Sequence, residues 1–159
     1  MNGLQQTKLF TGLLSAELRM LEQTSHLLRF QPGDVIFKEG DRGDGLYIVD
    51  EGAVQISVVV GENQRRQLAL IGPGDFFGEM AVLESEPRSA SAIATQPSVV
   101  RFIPSEEMFK VLEHAPKVAV SLLREVSQRL RDFDDQFLRE LIQAERLGLV
   151  GRFTRSSST

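Results

Sequence analysis

The chain has 159 residues, 42% of them hydrophobic and 25% charged, which suits one globular domain with its own core and an appended helix. A net charge of −4 argues against a chain whose whole task is to hold nucleic acid, since that work calls for a basic surplus. The absence of cysteine excludes disulfides and thiolate metal sites, and it fits a cytoplasmic location.

Residues 4–30 read as helical, because Leu9, Phe10, Leu13, Leu14, Leu18, Leu21, Leu27 and Leu28 recur near helical spacing. Ser15 is placed to cap a helix start there. From 30 to 103 the text changes to short β-branched or aromatic runs broken by glycine: Asp34–Lys38, Leu46–Val49, Val54–Val60, Arg66–Ile71, Ser89–Ala94 and Val99–Ile103. Val54, Ile56, Val58 and Val60 alternate as one buried strand face requires, and Gly61-Glu62-Asn63-Gln64 reads as a hairpin tip. Short strands with Gly and Pro turns predict an antiparallel barrel or jelly roll. After Pro104 the helical period returns. Ser105 is placed to cap a short helix through Glu113, and Pro116 opens a long one running to about Val150. Its stripe of Leu123, Val126, Leu130, Phe133, Phe137, Leu141, Ala144 and Leu147 or Gly148, with a stutter around Phe137, asks for a partner helix and predicts a homodimer.

Several function classes have no support in this text. No Ser/His/Asp set appears, and His26 and His114 stand far apart as surface or boundary residues, so neither an enzyme nor a metal site is expected. No apolar run reaches bilayer-spanning length, and the first ten residues lack a secretory pattern, so neither membrane attachment nor export is expected.

Chemistry concentrates between Phe76 and Ala92. Gly78 permits backbone bending and close approach by a ligand. Glu79-Met80-Ala81-Val82-Leu83 suits one short helical turn whose N–H groups favour an anion. Arg88 supplies a guanidinium fork matching two phosphate oxygens, and Ser89 adds a hydroxyl. Glu79 is an acceptor-only carboxylate, suited to a sugar hydroxyl and ill-suited to phosphate. One cationic fork, several amides and one acid fit a singly charged cyclic phosphodiester with a free ribose hydroxyl. A glutamate near an arginine is also an ordinary surface ion pair, so the residues alone leave that reading open.

The stretch Phe77-Gly78-Glu79, Met80-Ala81-Val82, a spacer, then Pro87-Arg88-Ser89-Ala90 resembles the phosphate-binding cassette of the cyclic-nucleotide-binding domain family. That family includes bacterial catabolite activators, cyclic-nucleotide-dependent kinases and gated channels. Pro32-Gly33-Asp34-Val35-Ile36-Phe37, Gly40-Asp41, Gly45-Leu46-Tyr47-Ile48-Val49 and Gly52-Ala53-Val54 resemble its leading strands, and the likeness covers roughly residues 8–140. It implies an α+β fold: an antiparallel β-roll or jelly-roll barrel flanked by N-terminal helices and a long C-terminal dimerisation helix. The expected domains are 1–115 for the β-roll with its N-terminal helices and 116–153 for the lid and dimer stalk, while 154–159, polar and serine-rich, reads as a disordered tail. The implied ligand is cAMP or cGMP, with no cofactor or metal. Arg88 would pair with the cyclic phosphate and Glu79 would accept from the ribose 2′-hydroxyl. Phe77 belongs to the cassette, while Gly78 and the amides near Met80-Ala81 and Ser89-Ala90 complete the cradle. Phe133 and Asp134 fall where the closing helix contacts the base. Ser89 follows the arginine as in bacterial cAMP receptors, which favours cAMP over cGMP.

Two effectors compete. A catabolite-activator-type regulator places a helix-turn-helix after the long helix, and 159 residues leave no room for one. Gln143–Phe153 instead resembles the entry to the dimerisation helices of sensor histidine kinases, which makes the chain an input domain for a downstream kinase. A dimerisation scaffold with a vestigial cassette is the reading from another class. A cupin-type metal enzyme shares the strand pattern but needs barrel histidines that this sequence lacks.

Overall fold

The computed structural model describes residues 3–84 and 86–146. Two short N-terminal helical segments come first: α1 (Gly3–Gln6) and a 3-10 turn at Lys8–Phe10. Then follow α2 (Ser15–Thr24), β1 (His26–Phe30), β2 (Val35–Phe37), β3 (Gly45–Glu51), β4 (Val54–Val60), β5 (Gln64–Ile71) and β6 (Phe76–Phe77). α3 (Glu79–Glu84), β7 (Ser91–Ala94), β8 (Ser98–Pro104), α4 (Ser105–His114) and α5 (Pro116–Arg146) complete the order. The chain divides into two compact units, Met1–Ser121 and Leu122–Thr159.

The strands of the first unit form two antiparallel four-stranded sheets, ordered β1-β8-β3-β6 and β2-β7-β4-β5. This is the expected β-roll with helices at its termini. β3 shows why a near-continuous apolar run forms its centre. Successive side chains point to opposite faces, and Gly45 through Val49 is buried on both. Tyr47 and Val49 face the core between the sheets, with Val54, Ile71, Phe77, Ala92 and Val100. Leu46 and Ile48 take the other face, where α1 and α4 lie against the strand. β6 repeats this arrangement in two residues: Phe77 is registered with Tyr47 and Phe76 with Ile48. Both phenylalanines are about 1% exposed.

Several expected boundaries move. Leu27 and Leu28 belong to β1, paired with Arg101 and Val100 of β8, so the helix expected over 4–30 is three short pieces followed by a strand. Leucine spacing cannot separate helix from strand over so short a run. Ser15 is the first residue of α2 rather than its cap; the start is closed by Glu17, whose carboxylate accepts from the Leu14 N–H at 2.9 Å. Ser105 likewise begins α4, after Pro104. Val54–Val60 is a strand over the expected span, but its alternation breaks. The register with β5 shifts between Ile56 and Ser57, which buries Ser57 and leaves Val59 and Val60 exposed. The hairpin loop is Gly61–Asn63, with Gln64 already paired to Val60.

In the second unit α5 continues to Arg146, and Leu123 and Leu130 on the expected stripe are 64% and 61% exposed. The side chains of Phe133, Phe137, Leu141 and Ala144 lie outside the described residues, as do the tail 154–159 and all but the first part of the Gln143–Phe153 segment. Among the described residues no helix is long and apolar enough to cross a membrane, and no group of His, Cys, Asp or Glu is arranged to hold a metal ion.

Candidate functional site

The segment singled out in the sequence folds as strand, left-handed turn, short helix and return loop. β6 ends at Phe77, and Gly78 takes φ +78°, a conformation that side chains rarely allow. α3 follows from Glu79 to Glu84. The return loop is fastened at Arg88 by two backbone bonds: its N–H donates to the Asp41 carbonyl, and its carbonyl accepts from the Gly40 N–H, each at 2.7 Å. The 38–41 turn is itself closed by the Asp41 carboxylate, which accepts from the Lys38 N–H at 2.9 Å.

So fastened, the Arg88 side chain runs inward and is 3% exposed. A buried guanidinium is costly unless its charge and donors are answered. Nη1 donates to the Gly78 carbonyl at 2.8 Å and Nη2 to the Gly45 carbonyl at 3.0 Å. Nη2 also lies 3.4 Å from Oδ1 of Asp44, a carboxylate 67% exposed. The Phe37 ring centroid stands 4.2 Å from Cζ and the Tyr47 centroid 5.6 Å, so two aromatic faces flank the cation. Nε is buried and has no hydrogen-bond partner among the described residues. Burial pushes the Tyr47 phenol above its ordinary value, with Asp44 adding to the rise and Arg88 opposing it.

The structure therefore brings Gly78 and Arg88 into direct contact. Phe77 lies behind them with its ring stacked on Tyr47, centroids 5.1 Å apart. Glu79 is half-buried at the first position of α3, Met80 is exposed beside it, and the Ala81 side chain lies outside the described residues. Ser89 is exposed and Ala90 buried; both form a bend rather than the start of the strand expected at Ser89. Phe133 and Asp134 fall on α5 in the second unit, and their side chains lie outside the described residues.

Sequence reasoning did not find the arginine's protein partners. Phe37, Gly45 and Tyr47 were seen only as strand text and Asp44 was not singled out, yet all four enclose the guanidinium from about forty to fifty positions upstream. The available signal was a pair of aromatics on strands that follow one another in the chain and face each other from the two sheets, with centroids 5.6 Å apart.

Known proteins resemble this chain in sequence and fold. The chain is 35% identical over 126 residues to the cyclic AMP receptor protein of Thermus thermophilus, covering 79% of this chain and 58% of that protein. It is 36% identical over 109 residues to a cGMP-dependent protein kinase of Toxoplasma gondii, covering 69% of this chain and 10% of the kinase. It thus spans less than two thirds of the first relative's length and about a tenth of the second's. Among solved structures, the Thermus thermophilus catabolite activator protein aligns with a TM-score of 0.73 at 31% identity, over 89% of this chain and 72% of that one. The family model described as the cyclic nucleotide-binding domain matches residues 27–115, more than half of the sequence and all of the segment from β2 through α4; the chain belongs to that family.

Proposed function

We propose that the chain is a regulatory domain that binds a 3′,5′-cyclic mononucleotide, cAMP in preference to cGMP, and passes the event through its C-terminal helix to an effector. One observation carries this reading. Arg88 is almost wholly buried beside the left-handed Gly78, and its Nε donor has no partner among the described residues. A buried donor without an acceptor costs about 1–3 kcal/mol, and a phosphate oxygen would remove that cost with a charge-assisted bond. Arg88 would pair with the cyclic phosphate. Gly78 and the amides near Met80-Ala81 and Ser89-Ala90 would surround it, and Glu79 would take the ribose 2′-hydroxyl. Ser89 in the position after the arginine supports cAMP. The exposed Leu123 and Leu130 support a homodimer through α5, which would carry the signal to a kinase or a transcription regulator.

A second reading has its own support. The carbonyls of Gly78 and Gly45 already accept from Arg88, as they would for an arginine that only braces the fold. In that case the domain is a dimerisation scaffold without a ligand.

Calorimetric titration with cAMP and cGMP separates the two. The sensor reading expects saturable heat, stronger for cAMP. It also expects Arg88→Ala to weaken binding by about 30-fold or more, from a buried charge pair worth about 2–5 kcal/mol. No heat with either nucleotide leaves the scaffold, and unchanged affinity in Arg88→Ala removes the arginine from the site.

A further inference from the structure

We infer that Asp44 is a charge filter, which lets the site discriminate the ring-closed phosphodiester from the 5′-monophosphate left when the ring is hydrolysed. The inference rests on the cyclic-nucleotide reading above and extends it to selectivity.

Asp44 stands at the head of β3. Its carbonyl accepts from the Ser105 N–H at 3.0 Å, which fixes its backbone at the start of α4. Its carboxylate reaches Arg88 Nη2 at 3.4 Å, a long contact beside the 2.8 and 3.0 Å bonds from the guanidinium to the Gly78 and Gly45 carbonyls. The carbonyls, not the carboxylate, therefore hold the arginine. With 67% of its side chain in solvent, Asp44 is not committed to neutralising a buried charge. What it contributes is a fixed negative charge next to the cation on which a phosphate would sit. Among the described residues it is the carboxylate that reaches that guanidinium.

A ligand feels this charge in proportion to its own. A cyclic phosphodiester carries one negative charge, whereas a phosphomonoester carries about −1.5 to −2 at neutral pH. The second charge meets Asp44 without gaining a second cation, so the penalty falls on the monoester. Between two largely solvated charges a few ångströms apart, one added unit corresponds to about a five-fold difference in affinity. Salt should erase most of it, because the carboxylate is exposed.

The test measures the affinities of cAMP and 5′-AMP for the wild-type chain and for Asp44→Asn, at low ionic strength and in strong salt. Asparagine keeps the shape and the acceptor near Nη2 and removes only the charge. The expected result is that the preference for cAMP over 5′-AMP falls about five-fold in the variant at low salt, chiefly through tighter 5′-AMP, and that the two proteins converge in strong salt. If wild type shows no measurable 5′-AMP binding, the variant must acquire it. An unchanged preference, equal gains for both nucleotides, or continued absence of 5′-AMP binding in Asp44→Asn overturns the filter while leaving the sensor intact. A wild-type chain that binds neither nucleotide overturns both.

Discussion

The Arg88 guanidinium occupies the space that a side chain on residue 78 would need: a Cβ built at Gly78 stands 2.6 Å from Nη1. The backbone there is also left-handed, at φ +78°. Gly78→Ala therefore meets two penalties, a strained dihedral of about 1–3 kcal/mol and a displaced arginine. Urea denaturation should register that loss, and titration with cAMP should show binding weakened by at least about ten-fold. A variant with wild-type stability and affinity would mean that the turn and the arginine are not coupled.

Much of this architecture is legible in the sequence because local rules agree. Strand β4 covers the expected span, α5 begins at Pro116, and the loop at 61–63 separates β4 from β5. What escapes is what depends on distant pairing. His26–Phe30 becomes a strand because β8, some seventy residues on, offers it an edge; leucine spacing alone favoured helix. Arg88 and Gly78 were readable as a candidate pair from the cassette text. That Gly45 and Phe37 close around the same guanidinium is a product of sheet closure, and local composition does not encode it.

A second buried arginine tests the cost of an unanswered charge. Arg101 Nη2 lies 3.2 Å from Oδ2 of Asp50, with side chains 9% and 10% exposed, and Nη1 donates to the Ser25 hydroxyl at 3.1 Å. Asp50→Ala leaves the guanidinium buried beside the end of α2 and should destabilise the domain by about 3–5 kcal/mol. Pairing it with Arg101→Met should recover most of that loss in urea denaturation. A double variant as unstable as Asp50→Ala would show that packing, not charge, sets the cost.

Tyr47 is the chain's one tyrosine, so its ionisation can be followed directly by ultraviolet difference titration. Its folded pKa lies above the ordinary 10.0, first because it is buried and next because of Asp44. Between the unfolded and folded values the native state keeps a proton that the unfolded chain has released. Stability from this group is complete below pH 10 and declines as pH rises through the folded value. Tyr47→Phe should lack that alkaline decline, and tyrosinate absorbance should appear later in the native protein than in urea.

On α5, Leu123 and Leu130 present apolar side chains to solvent within the second unit. Leu130→Glu should disperse the proposed homodimer into monomers in sedimentation velocity. The β-roll should keep its melting behaviour, since this position lies outside the first unit. A variant that stays dimeric would place the subunit contact elsewhere.

Phe76 and Phe77 plug opposite sides of the same sheet, registered with Ile48 and Tyr47. A peg driven through a board from both faces resists sliding. Strand β6 is thus held in register by two buried rings, and the left-handed Gly78 is the first backbone joint between that anchored strand and α3.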